Sequence, residues 1–382
     1  MVINMSEYNN VPRIRFKGFT DVWEQRKLAN LINEYKETVT SDCTLPVLTS
    51  SKVDGVVLQE EHFGRKQNHD ITGYNILPYG YCTYRNRSDG IDFTFNINKC
   101  CKMGIISKFY PVFYGNKNNI NLISIILNNS KEVAREIGYT CSGTGQKVLS
   151  FLDLQKMNII IPNRSEQDKI SDLFDNLDNL ITLHQRKCDT LVNVKKSLLE
   201  KMFPKNSSNI PEIRFKGFTD VWEQRKLNEF TRYISSNLSI SDSINNGKYN
   251  LYDANNIIGK VNCKNISEEF ITIIKDGSGV GKVRRLPKNS CFIGTMGGIL
   301  SKESNIDFVY CCLLNTDFTK EINGATIPHI YYSNYGNNEY YIPKCLEQVK
   351  LGELFTNIDN LITLHQHKEL KRRNDNNDNL RW

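Results

Sequence analysis

The sequence lacks the apolar segments that a membrane protein or a secreted precursor needs. None of its 382 positions belongs to a run of eighteen apolar residues, so no membrane-spanning helix is predicted. The opening residues, MVINMSEYNN, are polar and contain no apolar core of a signal peptide. We therefore expect a cytoplasmic protein that has no membrane partner.

Local metal-binding patterns are also missing, although the chain contains 11 cysteines. No two of them have the Cys-x-x-Cys spacing of zinc ribbons and fingers, and an odd number does not suit a complete set of disulfides. We predict reduced, mostly buried thiols and no structural metal.

Signatures of catalysis are absent as well. The chain has no Pro-Pro pair, which excludes the Asn/Asp-Pro-Pro-Tyr/Phe motif of methyltransferases. The stretch KDGSGVGKVRR, from Lys275 to Arg285, invites comparison with a phosphate-binding loop. However, Asp276 and Val283 stand where that loop needs a glycine and a serine or threonine. No catalytic residue is predicted, and an enzyme is the least favoured class of function.

The charge balance is mildly basic. A net charge of +7 and a pI near 8.7 favour binding to polyanions such as nucleic acid. A basic surface that is only solvated explains the same composition equally well. Composition alone therefore leaves both interpretations open.

Two blocks of sequence occur twice. Block A, Pro12 to Leu28, returns at Pro211 to Leu227 with sixteen of seventeen residues identical. Block B, Glu166 to Lys187, returns at Glu347 to Lys368. The offsets between copies are 199 for block A and 181 for block B, and the segments between the blocks differ. Two copies are too few for a solenoid, so we predict one chain that imitates a two-fold dimer.

Block B has the periodicity of a long helix. Apolar residues recur in alternating steps of four and three, typical of a coiled-coil seam, with Lys195 as an interruption. Acidic residues fill the first half and basic residues the second, which complements the helix dipole and favours an antiparallel partner. Charges that are simply solvated remain an alternative. The predicted seam consists of Ile170, Phe174, Leu177, Ile181 and His184 in the first copy and Leu351, Phe355, Ile358, Ile362 and His365 in the second.

Two details of the helices follow from this pattern. His184 and His365 are equivalent seam positions, which we interpret as a polar pair that fixes register rather than as a catalytic or metal site. The asparagine-rich end of the second copy does not sustain an apolar stripe, so we predict that its helix ends near Arg373. Antiparallel pairing would place the acidic half of one helix opposite His367, Lys368, Lys371, Arg372 and Arg373.

Block A is predicted to be a short amphipathic segment. Phe16, Phe19 and Trp23 share one helical face, and Leu28, Leu31, Ile32 and Tyr35 continue the helical period. We interpret the block as a packing collar between the long helix and the variable region. Its second copy supplies Phe215, Phe218 and Trp222.

The arrangement resembles the specificity subunits of type I restriction-modification enzymes. The same order of features occurs twice: RFKGFTDVWEQRKL, a variable region, Ile-Pro, EQ-x-K and a long helix. The resemblance therefore covers both blocks at both positions. It implies an α+β fold, in which two mixed α/β target-recognition domains are separated by a pair of long antiparallel helices with internal pseudo-two-fold symmetry.

The blocks divide the chain into predicted segments. The first block spans 1–28, the first target-recognition domain 29–162 and the central spacer helix 163–205. The second copy of the first block spans 206–227, the second recognition domain 228–343, the C-terminal spacer helix 344–373 and a polar tail 374–382.

The resemblance also implies a function without catalysis by this chain. Each recognition domain would read one half of a gapped site in double-stranded DNA. Two modification subunits, which methylate adenine, would dock on the repeated blocks, and restriction subunits would join them. S-adenosylmethionine, ATP and Mg²⁺ are expected on those partners, and no cofactor on this chain. The helices would act as a ruler, because half-sites on one face of the duplex lie about 34 Å apart.

A second class of function stays open, in which the chain is a coiled-coil adaptor or a competitor. Such a protein would bind modification subunits without directing DNA recognition. Salt-dependent, sequence-selective binding to a bipartite duplex separates the two classes, because an adaptor should bind DNA weakly and uniformly.

Candidate DNA-binding residues lie in both variable regions. In the first, YCTYRNRSDG places Arg85, Asn86 and Arg87 in a polar loop, and these side chains can make bidentate contacts to bases. A solvated turn explains that loop equally well. Further candidates in the first region are Lys108, Tyr110, Gln146 and Lys147.

In the second region, KDGSGVGKVRR resembles a strand-turn-strand element of target-recognition domains. It would offer Lys282, Arg284 and Arg285 to the DNA, and Lys288, His329 and Tyr331 are weaker candidates. Most of these contacts are expected to reach phosphates rather than bases.

Overall fold

The computed structural model describes residue 12 and residues 14–66, 70–143, 145–205, 208–262, 266–324 and 327–379, with side chains described as far as residue 366. This part of the chain divides into two compact units. Unit 1 comprises the described residues up to Leu183 and those from Lys368 onward, and unit 2 comprises those from His184 to His367. Each unit therefore contains one copy of block A and most of one copy of block B.

Unit 1 is built mainly from short strands. Its centre is a four-stranded antiparallel sheet with the order β2-β10-β6-β8, beside the pairs β1-β12, β3-β4, β5-β9 and β7-β11. The strands are β1 (Glu24–Lys27), β2 (Ile32–Tyr35), β3 (Leu48–Ser51), β4 (Gly55–Leu58), β5 (Asn75–Pro78), β6 (Cys82–Thr83), β7 (Arg87–Ser88), β8 (Asn96–Ile97), β9 (Met103–Ile106), β10 (Val112–Gly115), β11 (Lys147–Val148) and β12 (Asn158–Ile161).

Short helices cover the central sheet of unit 1, and three of them start at a side-chain cap. Asn119, Ser130 and Ser150 each accept a hydrogen bond from a backbone N–H in the first helical turn, which satisfies one of the free donors there. Phe113 of the sheet and Leu122 of a helix are fully buried in one core. The helices are α1 (Gln59–Phe63), α2 (Ile120–Asn129), α3 (Lys131–Thr140) and α4 (Phe151–Lys156), and a 3-10 turn spans Leu28–Asn30.

The long helix predicted from block B is present as α5 (Arg164–Lys201). Its 38 residues correspond to a length of about 57 Å at 1.5 Å per residue. Residues as far as Leu183 belong to unit 1, and residues from His184 onward belong to unit 2.

Unit 2 contains a four-stranded antiparallel sheet with the order β14-β20-β17-β18. A three-stranded sheet, β16-β15-β19, and the pair β13-β21 accompany it. The strands are β13 (Glu223–Lys226), β14 (Thr231–Ser235), β15 (Tyr249–Tyr252), β16 (Ile257–Val261), β17 (Phe270–Ile274), β18 (Val283–Leu286), β19 (Ser290–Phe292), β20 (Met296–Ser301) and β21 (Glu339–Ile342). The helices are α6 (Leu227–Phe230), α7 (Ile306–Leu314), α8 (Tyr332–Tyr335) and the long α9 (Cys345–Asn379), with 3-10 turns at Ile240–Asp242 and Phe318–Glu321.

The two units share a frame that their different sequences do not reveal. In unit 1, β2 pairs with β10, which α2 follows, and in unit 2, β14 pairs with β20, which α7 follows. The pair β1-β12 matches β13-β21 residue by residue, with Glu24 opposite Ile161 and Glu223 opposite Ile342. Both variable regions are therefore built on the same β-β-α core.

The predicted helical period of block A is wrong. Gly18 has a φ of +97°, which is incompatible with a right-handed helix, and the segment from Phe16 to Phe19 forms a turn. Residues 24–27 form β1, and Ile32–Tyr35 form β2. The partners of these strands, β12 and β10, lie far away in sequence, so tertiary pairing overrides the local apolar spacing.

The predicted end of the second long helix is also wrong. The backbone of α9 remains helical to Asn379, six residues beyond Arg373. No glycine or proline follows Gly352 in α9, and asparagine and aspartate each disfavour a helix by less than about 1 kcal/mol. Loss of the apolar stripe does not stop a helix that has no breaking residue. The side chains of His367, Lys368, Lys371, Arg372 and Arg373 lie outside those that the structure describes.

Candidate docking collars and nucleic-acid interface

A buried ion pair joins block A to the start of the long helix in unit 1. The guanidinium of Arg15 donates two hydrogen bonds to the carboxylate of Glu166, each 2.7 Å long. The side chain of Glu166 is only 1% exposed, and the hydrogen bond to it raises the pKa of Arg15. A bidentate pair of this kind fixes both distance and orientation. It therefore ties the turn of block A to the first turn of α5.

Two further contacts complete this arrangement in unit 1. Gln167 donates from Nε2 to the carbonyl oxygen of Pro162 (2.9 Å) and accepts from the backbone N–H of Asn119 (2.8 Å). The ammonium of Lys169 lies 5.1 Å from the centroid of the Phe19 ring. We call the set Arg15, Phe19, Trp23, Glu166, Gln167 and Lys169 collar 1.

Unit 2 contains the same arrangement at the repeated positions. Arg214 donates two hydrogen bonds to Glu347, at 2.7 and 2.8 Å, and Gln348 donates to the carbonyl oxygen of Pro343 at 2.9 Å. Lys350 lies 5.1 Å from the centroid of the Phe218 ring. We call the set Arg214, Phe218, Trp222, Glu347, Gln348 and Lys350 collar 2. The two collars thus agree contact by contact, although each carries a different recognition domain.

Four of the aromatic residues predicted for docking belong to these collars, and Phe16 and Phe215 stand next to Arg15 and Arg214 in the sequence. Trp23 and Trp222 are buried in the cores of units 1 and 2. Phe16 and Phe215 are partly buried and pack against the same two cores. Most of this aromatic surface therefore faces its own unit, and a role in binding partners stays a prediction.

Within unit 2, the end of α5 and the start of α9 lie antiparallel. The Nδ1 atoms of His184 and His365 are 2.9 Å apart. Lys195 donates to both carboxylate oxygens of Asp359, at 2.6 and 2.8 Å. Positions along α9 fall as positions along α5 rise, so the antiparallel pairing is confirmed. Lys195 is a seam residue with a charged partner rather than an interruption.

The remaining seam residues have mixed surroundings. Ile170 is buried in the core of unit 1, and Phe174 packs against that core. Leu177 and Ile181 are half-buried. Leu351, Phe355 and Ile358 are buried in the core of unit 2, and Ile362 packs against it. The start of each helical stripe thus packs into the core of its own unit, and in unit 2 that core also contains Met202, with Leu198 packed against it.

In unit 1, the structure brings several predicted DNA-binding residues together. Arg85, Arg87 and Lys108 are exposed, and the guanidinium of Arg87 lies 4.6 Å from the centroid of the Phe109 ring. Tyr110 is half-buried, and burial raises its pKa. Asn86 donates from its backbone to Phe109, which joins the two stretches.

Gln146 and Lys147 lie next to this cluster but point elsewhere. Lys147 is paired with Ser88 in the β7-β11 ladder, and Arg87 is paired with Val148. The side chains of Lys147 and Arg87 therefore lie on opposite faces of the ladder. Its ammonium donates to the carbonyl oxygen of Gly143 at 2.9 Å, and Gln146 donates to Asp89 at 3.4 Å. The predicted contact of these two residues with DNA stays a prediction.

In unit 2, the strand-turn-strand prediction for KDGSGVGKVRR is confirmed, because the stretch joins the antiparallel strands β17 and β18. Lys282 donates to the Asn255 side chain at 2.9 Å, and the Arg284 guanidinium lies 5.2 Å from the centroid of the Tyr252 ring. His329 forms a bridge with Asp276 of the same turn and packs edge-on against Tyr331. These residues therefore belong to one surface region.

Two predicted residues of unit 2 lie apart from that region. Arg285 forms ion pairs with Glu269 and Asp307. Lys288 is exposed beyond the far end of β18, about 20 Å along the chain from Lys282 at 3.3 Å per residue. Contact of Arg285 with DNA would compete with its two carboxylates.

The described ranges contain neither a cluster of possible metal ligands nor a membrane-spanning helix. No three His, Cys, Asp or Glu side chains there are grouped so that they could hold a metal ion. None of the helices in that part of the chain is long and apolar enough to cross a bilayer. Cys82, Cys188, Cys311 and Cys312 are buried free thiols, whereas Cys100 and Cys345 are exposed.

Comparison with known proteins agrees with the repeated architecture. The family model described as the type I restriction modification DNA specificity domain matches residues 17–193 and 219–372. The chain belongs to this family of specificity proteins. Each matched range contains part of one block A and part of one long helix. Both halves of the specificity protein therefore carry the family pattern. The resemblance predicted from the repeats is confirmed.

Individual relatives of the specificity protein are distant. It is 24% identical over 264 residues to the type I restriction enzyme MjaVIII specificity subunit of Methanocaldococcus jannaschii. The alignment covers 59% of this chain and 61% of the M. jannaschii protein. The chain thus spans less than two thirds of that relative.

Solved structures show the same fold over nearly the whole chain. The type I restriction-modification S subunit from M. genitalium matches with a TM-score of 0.62 and 16% identity, over 97% of this chain and 98% of that one. A structure from work on complex assembly and conformational transition of the type I R-M system matches with a TM-score of 0.50 and 13% identity, over 97% and 98%. The predicted mixed α/β fold with long helices is confirmed.

Sequence reasoning missed residues that organise the collars. Arg15, Glu166 and Gln167 lie in the repeated blocks, but the pattern of aromatic and apolar residues does not point to them. Their return at identical spacing as Arg214, Glu347 and Gln348 was a signal in the sequence. Phe109 also lies outside the predicted set, although it stands between the candidates Lys108 and Tyr110.

Proposed function

We propose that this specificity protein reads a bipartite, gapped site in double-stranded DNA and holds two copies of one modification subunit. The observation that carries the proposal is the agreement of the two collars, contact by contact, in units whose recognition domains differ. Identical sockets suit identical partners, whereas different surfaces suit different half-sites.

Exposed residues of block A that adjoin the collars support binding of a common partner. Every residue of β1 is exposed, yet the sequence EQRK is repeated without change in β13. Val22 and Val221 are 60% and 62% exposed. Packing does not require identity at exposed positions, and the regions between the blocks have diverged. A partner that meets the same surface in both units explains why these residues agree.

The recognition surfaces support DNA binding by both units. Unit 1 offers Arg85, Arg87 and Lys108, and unit 2 offers Lys282 and Arg284 beside the β17-β18 turn. Arginine and lysine of this kind contact phosphates and guanine edges. Catalysis, with S-adenosylmethionine, ATP and Mg²⁺, belongs in this proposal to the modification and restriction subunits and not to this chain.

Exchange of one recognition domain tests the proposal. Residues 228–343 are replaced by the corresponding region of another specificity protein, and methylated adenines are mapped across the genome of the host cell. We expect a gapped motif in which one half changes and the other half and the gap stay the same. The matched control replaces residues 29–162 and should alter the opposite half.

Two outcomes would contradict the proposal. A change in both halves after a single exchange would show that the domains do not read separate half-sites. A methylation pattern that stays the same when the whole chain is deleted would favour the adaptor, which binds modification subunits without guiding them.

A further inference from the structure

Three stretches of unit 1 that are distant in sequence meet around Arg87. The backbone N–H of Asn86 donates to the carbonyl oxygen of Phe109 at 2.9 Å, and the N–H of Leu149 donates to that of Asn86 at 3.0 Å. Arg87 itself is paired with Val148 in the β7-β11 ladder. The backbone that carries Arg87 is therefore fixed from two sides, as a side chain that must reach a defined atom requires.

The side chain of Arg87 is held as well. Its guanidinium lies 4.6 Å from the centroid of the Phe109 ring, and that ring is 39% exposed at the tip of a turn closed by the hydrogen bond from Tyr110 to Ser107. A planar guanidinium stacks well on an aromatic face and then loses less freedom when it binds a ligand. Phe109 thus presents Arg87 in a preferred orientation.

The described carboxylates of unit 1 form no ion pair with the cations of this cluster. In the described part of unit 1, Arg85, Arg87 and Lys108 form no ion pair with a carboxylate, whereas Arg285 of unit 2 has two. Lys108 lies 5.9 Å from the Phe109 ring centroid. An exposed aromatic ring between two such cations fits a nucleic-acid surface, where one cation meets a base and the other a phosphate.

We propose that Arg87 reads a guanine in the half-site of the first recognition domain, that Phe109 is its positioning residue, and that Lys108 contacts a phosphate. This inference rests on the proposed function. Arginine donates two hydrogen bonds to O6 and N7 of guanine, the commonest specific contact in the major groove. Arg85 lies between β6 and β7, outside either strand, whereas Arg87 is paired within β7 and its guanidinium lies over the Phe109 ring.

The test selects bound duplexes from a library with a random central region, using the full chain in complex with its modification subunits. We expect wild type to select a gapped motif with a guanine in the half that depends on residues 29–162. Arg87→Lys keeps the positive charge but cannot form the bidentate contact. Selectivity for guanine over the other bases at that position should therefore fall about 10- to 100-fold. The other half should not change.

Two further variants separate the three roles. Phe109→Leu should weaken selectivity for the same guanine by a smaller factor than Arg87→Lys does. Because Phe109 acts through Arg87, the same substitution should have no further effect on selectivity in an Arg87→Lys background.

Lys108→Gln should keep the motif, lower affinity for all duplexes and reduce the slope of log affinity against log salt by about one. Phe63→Leu is the matched control, because Phe63 is 48% exposed in the same unit and should leave the motif intact.

The outcomes distinguish this inference from the function on which it rests. If wild type selects no motif, the proposed function fails. If wild type selects a motif but Arg87→Lys retains every preference, or alters the other half, the assignment of Arg87 is wrong. If Phe109→Leu relaxes a different position from Arg87→Lys, Phe109 does not position that arginine.

Discussion

At the scale of single residues, the collars depend on a carboxylate at the start of each long helix. Glu166 and Glu347 lie in the first turns of α5 and α9, where the helix dipole favours negative charge, and each also binds an arginine of block A. Removing one partner of a buried ion pair is strongly destabilising, because the other charge remains buried without compensation. The two pairs therefore lock block A onto the helices.

We predict that Glu166→Ala and Glu347→Ala each lower the free energy of unfolding of their own unit by about 3 kcal/mol. The two effects should be similar because the hydrogen bonds agree within 0.1 Å. Urea unfolding of each variant measures the change. Glu60→Ala is the control, since Glu60 is exposed on α1, and it should change stability by less than about 0.5 kcal/mol. A loss below about 1 kcal/mol in either collar variant would show that the ion pairs do not hold the collars.

At the scale of elements, polar residues interrupt the apolar contact between α5 and α9 in unit 2. A hydrogen bond between the Nδ1 atoms of His184 and His365 needs one protonated and one unprotonated nitrogen, so at least one imidazole is neutral. Lys195 and Asp359 add a charged pair in the same seam. Polar seam positions specify register at some expense of stability. We therefore expect these polar pairs to select one alignment of two helices that have similar sequences.

We predict that His184→Leu lowers the stability of unit 2 by about 1–2 kcal/mol, because the hydrogen bond between the two Nδ1 atoms is lost. The double variant His184→Leu/His365→Leu should recover this loss, since two leucines need no hydrogen bond. Both effects are read from urea unfolding curves. A double variant that is as unstable as the single one would mean that the histidine pair stabilises the seam rather than specifying its register.

At the scale of the whole molecule, the duplicated collars predict a fixed number of partners. One chain has two copies of the exposed surface that includes Val22 in unit 1 and Val221 in unit 2. Since the two surfaces belong to different units, loss of one should not remove the other.

We predict that Val22→Lys or Val221→Lys reduces the bound modification subunits from two to one, and that the double variant binds none. A lysine that replaces a valine covered by the partner would lose its hydration without gaining a partner charge, which opposes binding. Native mass spectrometry of complexes purified from the host cell counts the subunits. Val53→Lys is the matched control, because Val53 is 91% exposed in the first recognition domain. Retention of two subunits by the double variant would contradict docking at these surfaces.

The sequence by itself determined the repeats, the long helices, their antiparallel pairing and the family, because these follow from identity and local periodicity. It also predicted the strand-turn-strand element from Lys275 to Arg285. Only the tertiary structure decided that block A contains strands, since β1 and β13 form by pairing with distant partners. It likewise decided the arginine-glutamate pairs and the stacking of Arg87 on Phe109. Such contacts join residues that are far apart along the chain, so local periodicity does not reveal them, and only the return of Arg15 and Glu166 as Arg214 and Glu347 marks the ion pairs in the sequence.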